Sequence, residues 1–278
     1  MRHGESCRSG TRRRRIVLLA AMPSVRLATE EESEVSSSFA PDLVDRIEKI
    51  RAAFEEGALG EKAHEKHPGL PLSSRENYLY FTLAPALNYQ RQSHQLWRAA
   101  EKTFHDPATA FVYEPSLVGE VTDDELRRAL TTHALATRPV RHTETWRRLC
   151  GTLAAHYHAD PREFLASCDW DVVAILDGLK RDRKRFPVLS GPKMSNYWLF
   201  ILSRYTDVKF ENMHEVSIIP DIHVKRATER LGVVEDASLH TTEMIADIWR
   251  AGLRGTGIMP SQLHGPLWFW SRAGFPEL

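Results

Sequence analysis

Beyond residue 40, apolar residues recur at helical spacing, and no segment alternates apolar and polar residues as a half-buried strand does. Leu43, Ile47, Ile50 and Phe54, for example, lie on one face of a single helix. Later segments with this spacing are separated by Gly, Pro, Asp, Ser and Thr, the residues that typically begin and end helices. The sequence therefore predicts an all-α protein of about ten helices.

Composition excludes several classes of protein. The 278 residues include 37 Lys and Arg and 37 Asp and Glu, so the formal net charge is zero, and contact with nucleic acid would need a local basic cluster. Cys7, Cys150 and Cys168 are too widely spaced for a disulfide framework or a zinc or iron–sulfur site. No histidine pattern suggests zinc, and no apolar run has transmembrane length. We expect no metal site, no membrane partner and a cytoplasmic location.

Residues 1–40 differ in composition from the rest of the chain. Arg12–Arg15 precede the apolar run Ile16–Met22, which is short for a secretory signal and lacks a convincing cleavage site. Acidic and serine-rich segments follow at 30–32 and 36–38. We expect residues 1–40 to be a disordered tail, or to result from a start assigned upstream of a true start at Met22. Residues 41–278 would form one helical domain.

The segment 180–232 carries the strongest functional signals. A basic run over 180–185 is predicted to extend a helix into a tight turn at Ser190-Gly191-Pro192, and a second helix begins near Lys193. Pro220-Asp221 then opens a third helix that ends near Gly232.

Two kinds of chemistry are available in this segment. The turn amides of Ser190 and Gly191, with the nearby charges of Lys184 and Arg185, suit one backbone phosphate. The Lys193 amine could attack an electrophilic carbon, and its alternative is a solvated surface lysine. Asp221 is predicted to cap its helix, which leaves one carboxylate oxygen for catalysis.

These motifs resemble the helix-hairpin-helix DNA glycosylase superfamily. That superfamily has a hairpin of type Leu-x-Gly-x-Gly before a catalytic lysine, and here Leu189–Lys193 is a version that lacks the second glycine and is about two residues short. A family segment of type Val-Asp-x-His-Val carries the catalytic aspartate, and Pro220–Val224 matches it, followed by Arg226 and Arg230-Leu231-Gly232. The resemblance implies Lys193 and Asp221 as catalytic residues, and two helical lobes with a DNA-binding cleft between them.

Other segments are similar to the archaeal 8-oxoguanine DNA glycosylases within this superfamily. Gln90 or Gln92 takes the place of a family glutamine that reaches the duplex or the target base. Its alternative is a polar turn between two helices. Near the C-terminus, Trp268 falls on the family's base-pocket tryptophan, with a core aromatic as its alternative. His264 stands where the family has an aspartate.

The resemblance implies a bifunctional DNA N-glycosylase/AP lyase of base excision repair. It would flip an oxidised purine, with 8-oxoguanine the expected lesion, out of double-stranded DNA and release it by lysine Schiff-base chemistry. We expect a nucleoid-associated monomer without a cofactor, except that family members often hold a monovalent cation on hairpin carbonyls. Two alternatives are a glycosylase for another damaged base and a non-catalytic DNA-binding relative.

Overall fold

The computed structural model describes residues 38–60, 67–88 and 91–278, and within them the protein is mostly helical. These residues form no strand, and their only β contact is an isolated bridge between Asp171 and Glu211. The predicted all-α class is therefore confirmed. The twelve α-helices in the described ranges are α1 (Pro41–Glu55), α2 (Arg75–Leu83), α3 (Ser93–His105), α4 (Pro115–Glu120), α5 (Asp123–Thr132), α6 (Pro139–His156), α7 (Pro161–Ala166), α8 (Val172–Arg181), α9 (Pro192–Tyr205), α10 (Ile222–Arg230), α11 (Thr242–Gly252) and α12 (His264–Arg272).

The count exceeds the expected ten because several helices are short. Five further segments are 3-10 turns, at Ala84–Leu87, Ala110–Tyr113, Met213–Glu215, Ala237–Leu239 and Pro260–Leu263. The last of these precedes α12, so the final α-helix begins at His264.

Two hydrophobic cores organise the helices. The larger core contains residues of α2 to α9, including the buried Tyr80, Trp146 and Trp198. The smaller core joins α1 to the C-terminal helices α10, α11 and α12, with Ile47 and Trp249 at its centre. Because both α1 and α10 pack against α12, the first described helix and the last belong to the same core.

The buried tryptophans fix how helices pack in both cores, because each indole N–H finds an acceptor. Trp198 donates to Thr82 at 3.1 Å and joins α9 to α2, and Trp249 donates to Thr228 at 3.0 Å and joins α11 to α10. Burying a ring of this size stabilises a fold by about 2 to 3 kcal/mol, and a satisfied N–H removes the penalty for burying the donor.

Phe39 adds the chain segment before α1 to the smaller core. Its amide donates to the Gly252 carbonyl at 2.7 Å, and its ring meets Trp249 edge to face with centroids 5.4 Å apart. A Cβ atom at Gly252 would overlap the Phe39 ring, so this contact requires glycine. The packed region thus begins before Pro41, while residues 1–37 lie outside the described ranges.

Among the described helices, none is long and apolar enough to cross a membrane.

Candidate functional site

A cavity of about 820 Å³ is lined by residues of both cores, from α1, α3, α9, α10 and α12 and the segments before them. The sequence-predicted residues that line it are Gln92, Lys193, Asp221, His264 and Trp268. Gln90 lies outside the described residues. Side chains from positions 92 to 268 therefore meet in one place, and that convergence makes this cavity the candidate site.

Lys193 stands in the first turn of α9, at the wall of the cavity. Its side chain is exposed, and it makes no hydrogen bond or ion pair with the described residues. The backbone amides of Lys193 and Met194 also have no acceptor in that part of the chain, as expected at a helix N-terminus. A free amine and two free amides thus face the same cavity.

The turn before α9 differs from its prediction. Ser190 donates its amide to the Phe186 carbonyl and Gly191 donates to the Val188 carbonyl, both at 3.0 Å. The turn itself uses the two amides that the sequence predicts as phosphate donors, so they are not free in the described chain. Phosphate binding at Ser190 and Gly191 stays a prediction. Val188 has a φ of 67°, an unusual conformation for a β-branched residue, so the shortened turn is strained. The amides left for an anion belong to Lys193 and Met194.

The basic run also lies elsewhere than expected. Helix α8 ends at Arg181, so Lys184 and Arg185 stand in the turns between α8 and α9 and not on a helix. Arg185 pairs with Asp182 at 3.2 Å, which offsets its charge. Both side chains are exposed, and neither lines the cavity. If Lys184 and Arg185 bind phosphate as predicted, they do so on the protein surface outside the cavity.

Asp221 caps α10 with one oxygen, as predicted. Its Oδ1 accepts hydrogen bonds from the amides of His223 and Val224, both at 3.0 Å. Oδ2 has no hydrogen-bond partner among the described residues. Because two amides fix the side chain, the second oxygen is held rigidly at the wall of the cavity.

Asn196 ties the lysine helix to the aspartate segment. Its side-chain N–H donates to the Pro192 carbonyl at 2.7 Å, and its Oδ1 accepts from the Ser217 amide at 2.7 Å. Pro192 precedes Lys193, and Ser217 lies four residues before Asp221. One side chain therefore fixes the relative positions of the chain segments that carry the two candidate catalytic groups.

Trp268 is half-buried at the cavity, whereas its neighbour Trp270 is in the smaller core with 6 % exposure. The His223 ring meets the Trp268 indole at 5.0 Å with the planes at 64°. The Arg272 guanidinium lies over the indole ring, 5.0 Å from its centroid. Trp268 is thus an accessible aromatic surface held by two basic residues.

His264 supports the start of α10 from α12. The Ile219 carbonyl accepts a hydrogen bond from His264 Nδ1 at 3.0 Å and another from the Asp221 amide at 2.8 Å. A carbonyl can only accept, so the proton of this bond is on Nδ1. His264 therefore helps to position Asp221, a contact that its motif position did not predict.

The cavity is positively charged although the chain is neutral. Among the described residues, five Lys or Arg side chains and two carboxylates line it. The basic members are Arg51, Arg91, Lys193, Arg204 and Arg272, and the acidic members are Glu55 and Asp221. The arginines come from four separate segments, so no run of basic letters identifies them in the sequence.

Arg91 is the least hydrated of these cations. It donates to the Leu135 carbonyl at 2.8 Å, and its buried Nε has no partner among the described residues. Burial lowers the pKa of its guanidinium, which nevertheless stays charged at any physiological pH. A charge in this position would favour an anionic ligand nearby.

No cluster of three or more His, Cys, Asp or Glu residues in the described ranges is arranged to hold a metal ion. No protein-family model matches the sequence, and no curated protein matches it either.

Proposed function

We propose that this protein is a DNA N-glycosylase/AP lyase that excises an oxidised purine, with 8-oxoguanine as the favoured lesion. One observation carries the proposal. Lys193, an amine without a partner among the described residues, and Asp221, a carboxylate with one oxygen unused there, line the same cavity although about 28 residues separate them in sequence. This is the pair that lysine-dependent base removal requires.

The chemistry follows from these two groups. The Lys193 amine attacks C1′ of the damaged nucleotide, the bond from C1′ to the base breaks, and the base leaves with the bonding electron pair and takes up a proton. Positive charge that develops on the sugar is stabilised by the Asp221 carboxylate. The sugar then opens to an iminium on Lys193, and loss of a C2′ proton expels the 3′ phosphate, which cleaves the strand.

A damaged base must leave the stack to reach this site. The cavity volume of about 820 Å³ is ample for a flipped purine nucleotide. Trp268 would stack on the base, and Gln92 and His264, which also line the cavity, would contact its polar edges.

Double-stranded DNA is the partner that the cavity charge favours. Five basic side chains against two carboxylates give a local excess of positive charge, and the free amides of Lys193 and Met194 add hydrogen-bond donors. Phosphates bind to both kinds of group. We propose that the protein binds the duplex as a monomer.

Borohydride trapping tests the proposal. Wild-type protein incubated with duplexes carrying 8-oxoguanine, an alkylated base or a deaminated base should form a reduced covalent adduct with the 8-oxoguanine duplex. Lys193→Gln should form none, while Lys102→Gln, which removes an exposed lysine of α3 outside the cavity, should react as the wild type does.

Other outcomes separate the alternatives. An adduct with a different lesion would identify a glycosylase for that base. Trapping that persists in Lys193→Gln would place the nucleophile on another amine. Duplex binding without an adduct for any lesion would contradict the lyase step and identify a monofunctional or non-catalytic protein.

A further inference from the structure

We propose that a second cavity, beside the loop after α11, binds a backbone phosphate of the DNA strand whose damaged nucleotide enters the first cavity. This inference rests on the proposed function. The second cavity has a volume of about 380 Å³ and includes His214, Arg250, Arg254, Gly255 and Gly257 in its lining. No carboxylate side chain is among its described lining residues.

The loop presents two backbone donors. Gly255 and Gly257 have φ angles of +75° and +77°, which other residues rarely adopt. Thr256 between them holds the loop, since its hydroxyl donates to the Leu253 carbonyl at 2.8 Å and accepts from the Ile258 amide at 3.2 Å. The amides of Gly255 and Gly257 have no acceptor among the described residues. The Thr256 amide between them donates to the Leu253 carbonyl at 3.1 Å, so the donors that remain for an anion are the amides of Gly255 and Gly257.

Arg254 carries the positive charge of this cavity that no carboxylate of the described chain neutralises. Arg250 pairs with Asp247 at 2.9 Å and with Glu215 at 3.3 Å, and His214 lies 3.5 Å from Glu215. Arg254 is exposed, and its side chain has no hydrogen bond or ion pair within the described chain. An unpaired guanidinium beside two free amides provides the donors that a phosphate accepts.

Two chain links show that the cavities are neighbours. Arg250 donates to the hydroxyl of Ser217, and Ser217 lines the first cavity while Arg250 lines the second. Pro260 lines the second cavity, and the next residue, Ser261, lines the first. A strand with its damaged nucleotide in the first cavity can therefore place a nearby phosphate in the second.

Salt dependence of duplex binding gives the first test. We expect Arg254→Gln to lower the slope of log affinity against log salt by about 0.9, the loss of one phosphate contact. Arg148→Gln is the control, because Arg148 is exposed on α6, away from both cavities, and has no partner in the described chain. The melting temperature of Arg254→Gln should equal that of the wild type, so a lower slope cannot arise from unfolding.

Neutral phosphate analogues give the second test. Methylphosphonate is placed at each phosphate within three nucleotides of the lesion, one at a time. At one of these positions, the methylphosphonate should weaken DNA binding by the wild type severalfold and leave DNA binding by Arg254→Gln unchanged. An unchanged salt slope together with full methylphosphonate sensitivity in Arg254→Gln would overturn the inference.

Three further outcomes keep the two proposals apart. If lesion DNA forms the Lys193 adduct but Arg254→Gln binds DNA as the wild type does, the proposed function stands and the second site does not. If Arg254→Gln loses binding of inorganic phosphate but binds the duplex as the wild type does, the cavity binds free phosphate and the inference is wrong. If Arg254-dependent binding occurs without any adduct, the phosphate site stands and the lyase proposal fails.

Discussion

The Oδ1 atom of Asn196 accepts a hydrogen bond of 2.7 Å from the backbone amide of Ser217, so α9 is joined directly to the segment that leads to Asp221. The same side chain donates to the Pro192 carbonyl just before Lys193. Lys193 and Asp221 lie on two separate segments of the chain. The hydrogen bonds of Asn196 hold these segments together, and both residues line the same cavity. Asn196 is therefore a positioning residue for the proposed reaction.

Replacing Asn196 with alanine should slow adduct formation without weakening duplex binding. The change removes two hydrogen bonds, each contributing about 1 kcal/mol, so the protein stays folded with a lower Tm. A shift of about 1 Å between the reacting groups can reduce a rate by a factor of about 100. We expect a 10- to 100-fold lower rate of borohydride-trapped product, at saturating protein concentration and with an unchanged Kd.

Ser203→Ala is the matched control for Asn196→Ala. Ser203 lies on the same helix, and its hydroxyl bonds only to the Phe200 carbonyl within α9. This variant should keep the wild-type rate. Equal rates for Asn196→Ala and Ser203→Ala would show that Asn196 has no role in positioning.

Changing Asp221 to asparagine should separate folding from catalysis. The amides of His223 and Val224 both donate to Oδ1, and an asparagine carbonyl can accept both, so the Tm should change little. The charge opposite the sugar is lost, and we expect base release to fall by a factor of about 100 to 1,000. Single-turnover base release, measured alongside thermal unfolding, tests both expectations.

Asp171→Asn provides a control at a helix cap outside the cavity, where the aspartate also accepts a hydrogen bond from the Asn212 side chain. Asp171 caps α8, where it accepts from the Ala174 amide at 2.8 Å, and it does not line the cavity. Base release should be unaffected by this change. A comparable loss of activity in both variants would indicate a general effect of changing a helix cap. Full activity in Asp221→Asn would show that Asp221 only caps α10 and has no catalytic role.

The N-terminal boundary of the stable fold can be located with two truncations. Removal of residues 1–37 should leave the Tm unchanged. Removal of 1–40 also deletes Phe39, whose ring packs on Trp249 and whose amide bonds to Gly252. The lost packing and hydrogen bond should cost about 1 to 3 kcal/mol, or a few degrees in Tm. Phe39→Ala in the full chain should reproduce most of that loss, and equal Tm values for both truncations would show that Phe39 does not contribute.

Local signals in the sequence predict both ends of α10 correctly. Asp221 as a helix cap and Gly232 after α10, with its φ of +75°, follow from residue type and immediate neighbours. The sequence does not predict that α8 ends at Arg181, because the charged side chains at 183–185 are compatible with a helix. The chain instead forms turns that bury Phe186 and Leu189.

Long-range contacts were not predictable from the sequence. The Asn196 bond to Ser217 spans 21 residues, and the place of Arg272 over Trp268 depends on how α12 packs. The positions of the arginines in the sequence also do not show that arginines from four segments line one cavity. Each depends on the two cores having formed, which no local pattern encodes.

Acid should destabilise the protein through His142, which is buried with 3 % exposure. Burial, with smaller contributions from Arg91, Arg138 and Arg141, lowers the pKa of this imidazole from 6.5 to about 4. The folded-state pKa is the lower one, so the unfolded chain binds the proton more readily between these values. The stability that neutral His142 provides is thus complete above pH 6.5 and is lost as the pH falls toward 4.

The His142→Asn variant isolates this effect, because its side-chain oxygen can still accept the Thr137 amide, now 3.2 Å from His142 Nδ1, and does not titrate. Between pH 7 and 4.5, urea unfolding should show the wild type losing about 2 to 3 kcal/mol more than His142→Asn. His156→Asn, which alters an exposed histidine at the end of α6, should follow the wild type at both pH values. If wild type and His142→Asn lose the same stability, proton uptake by His142 does not contribute to acid unfolding.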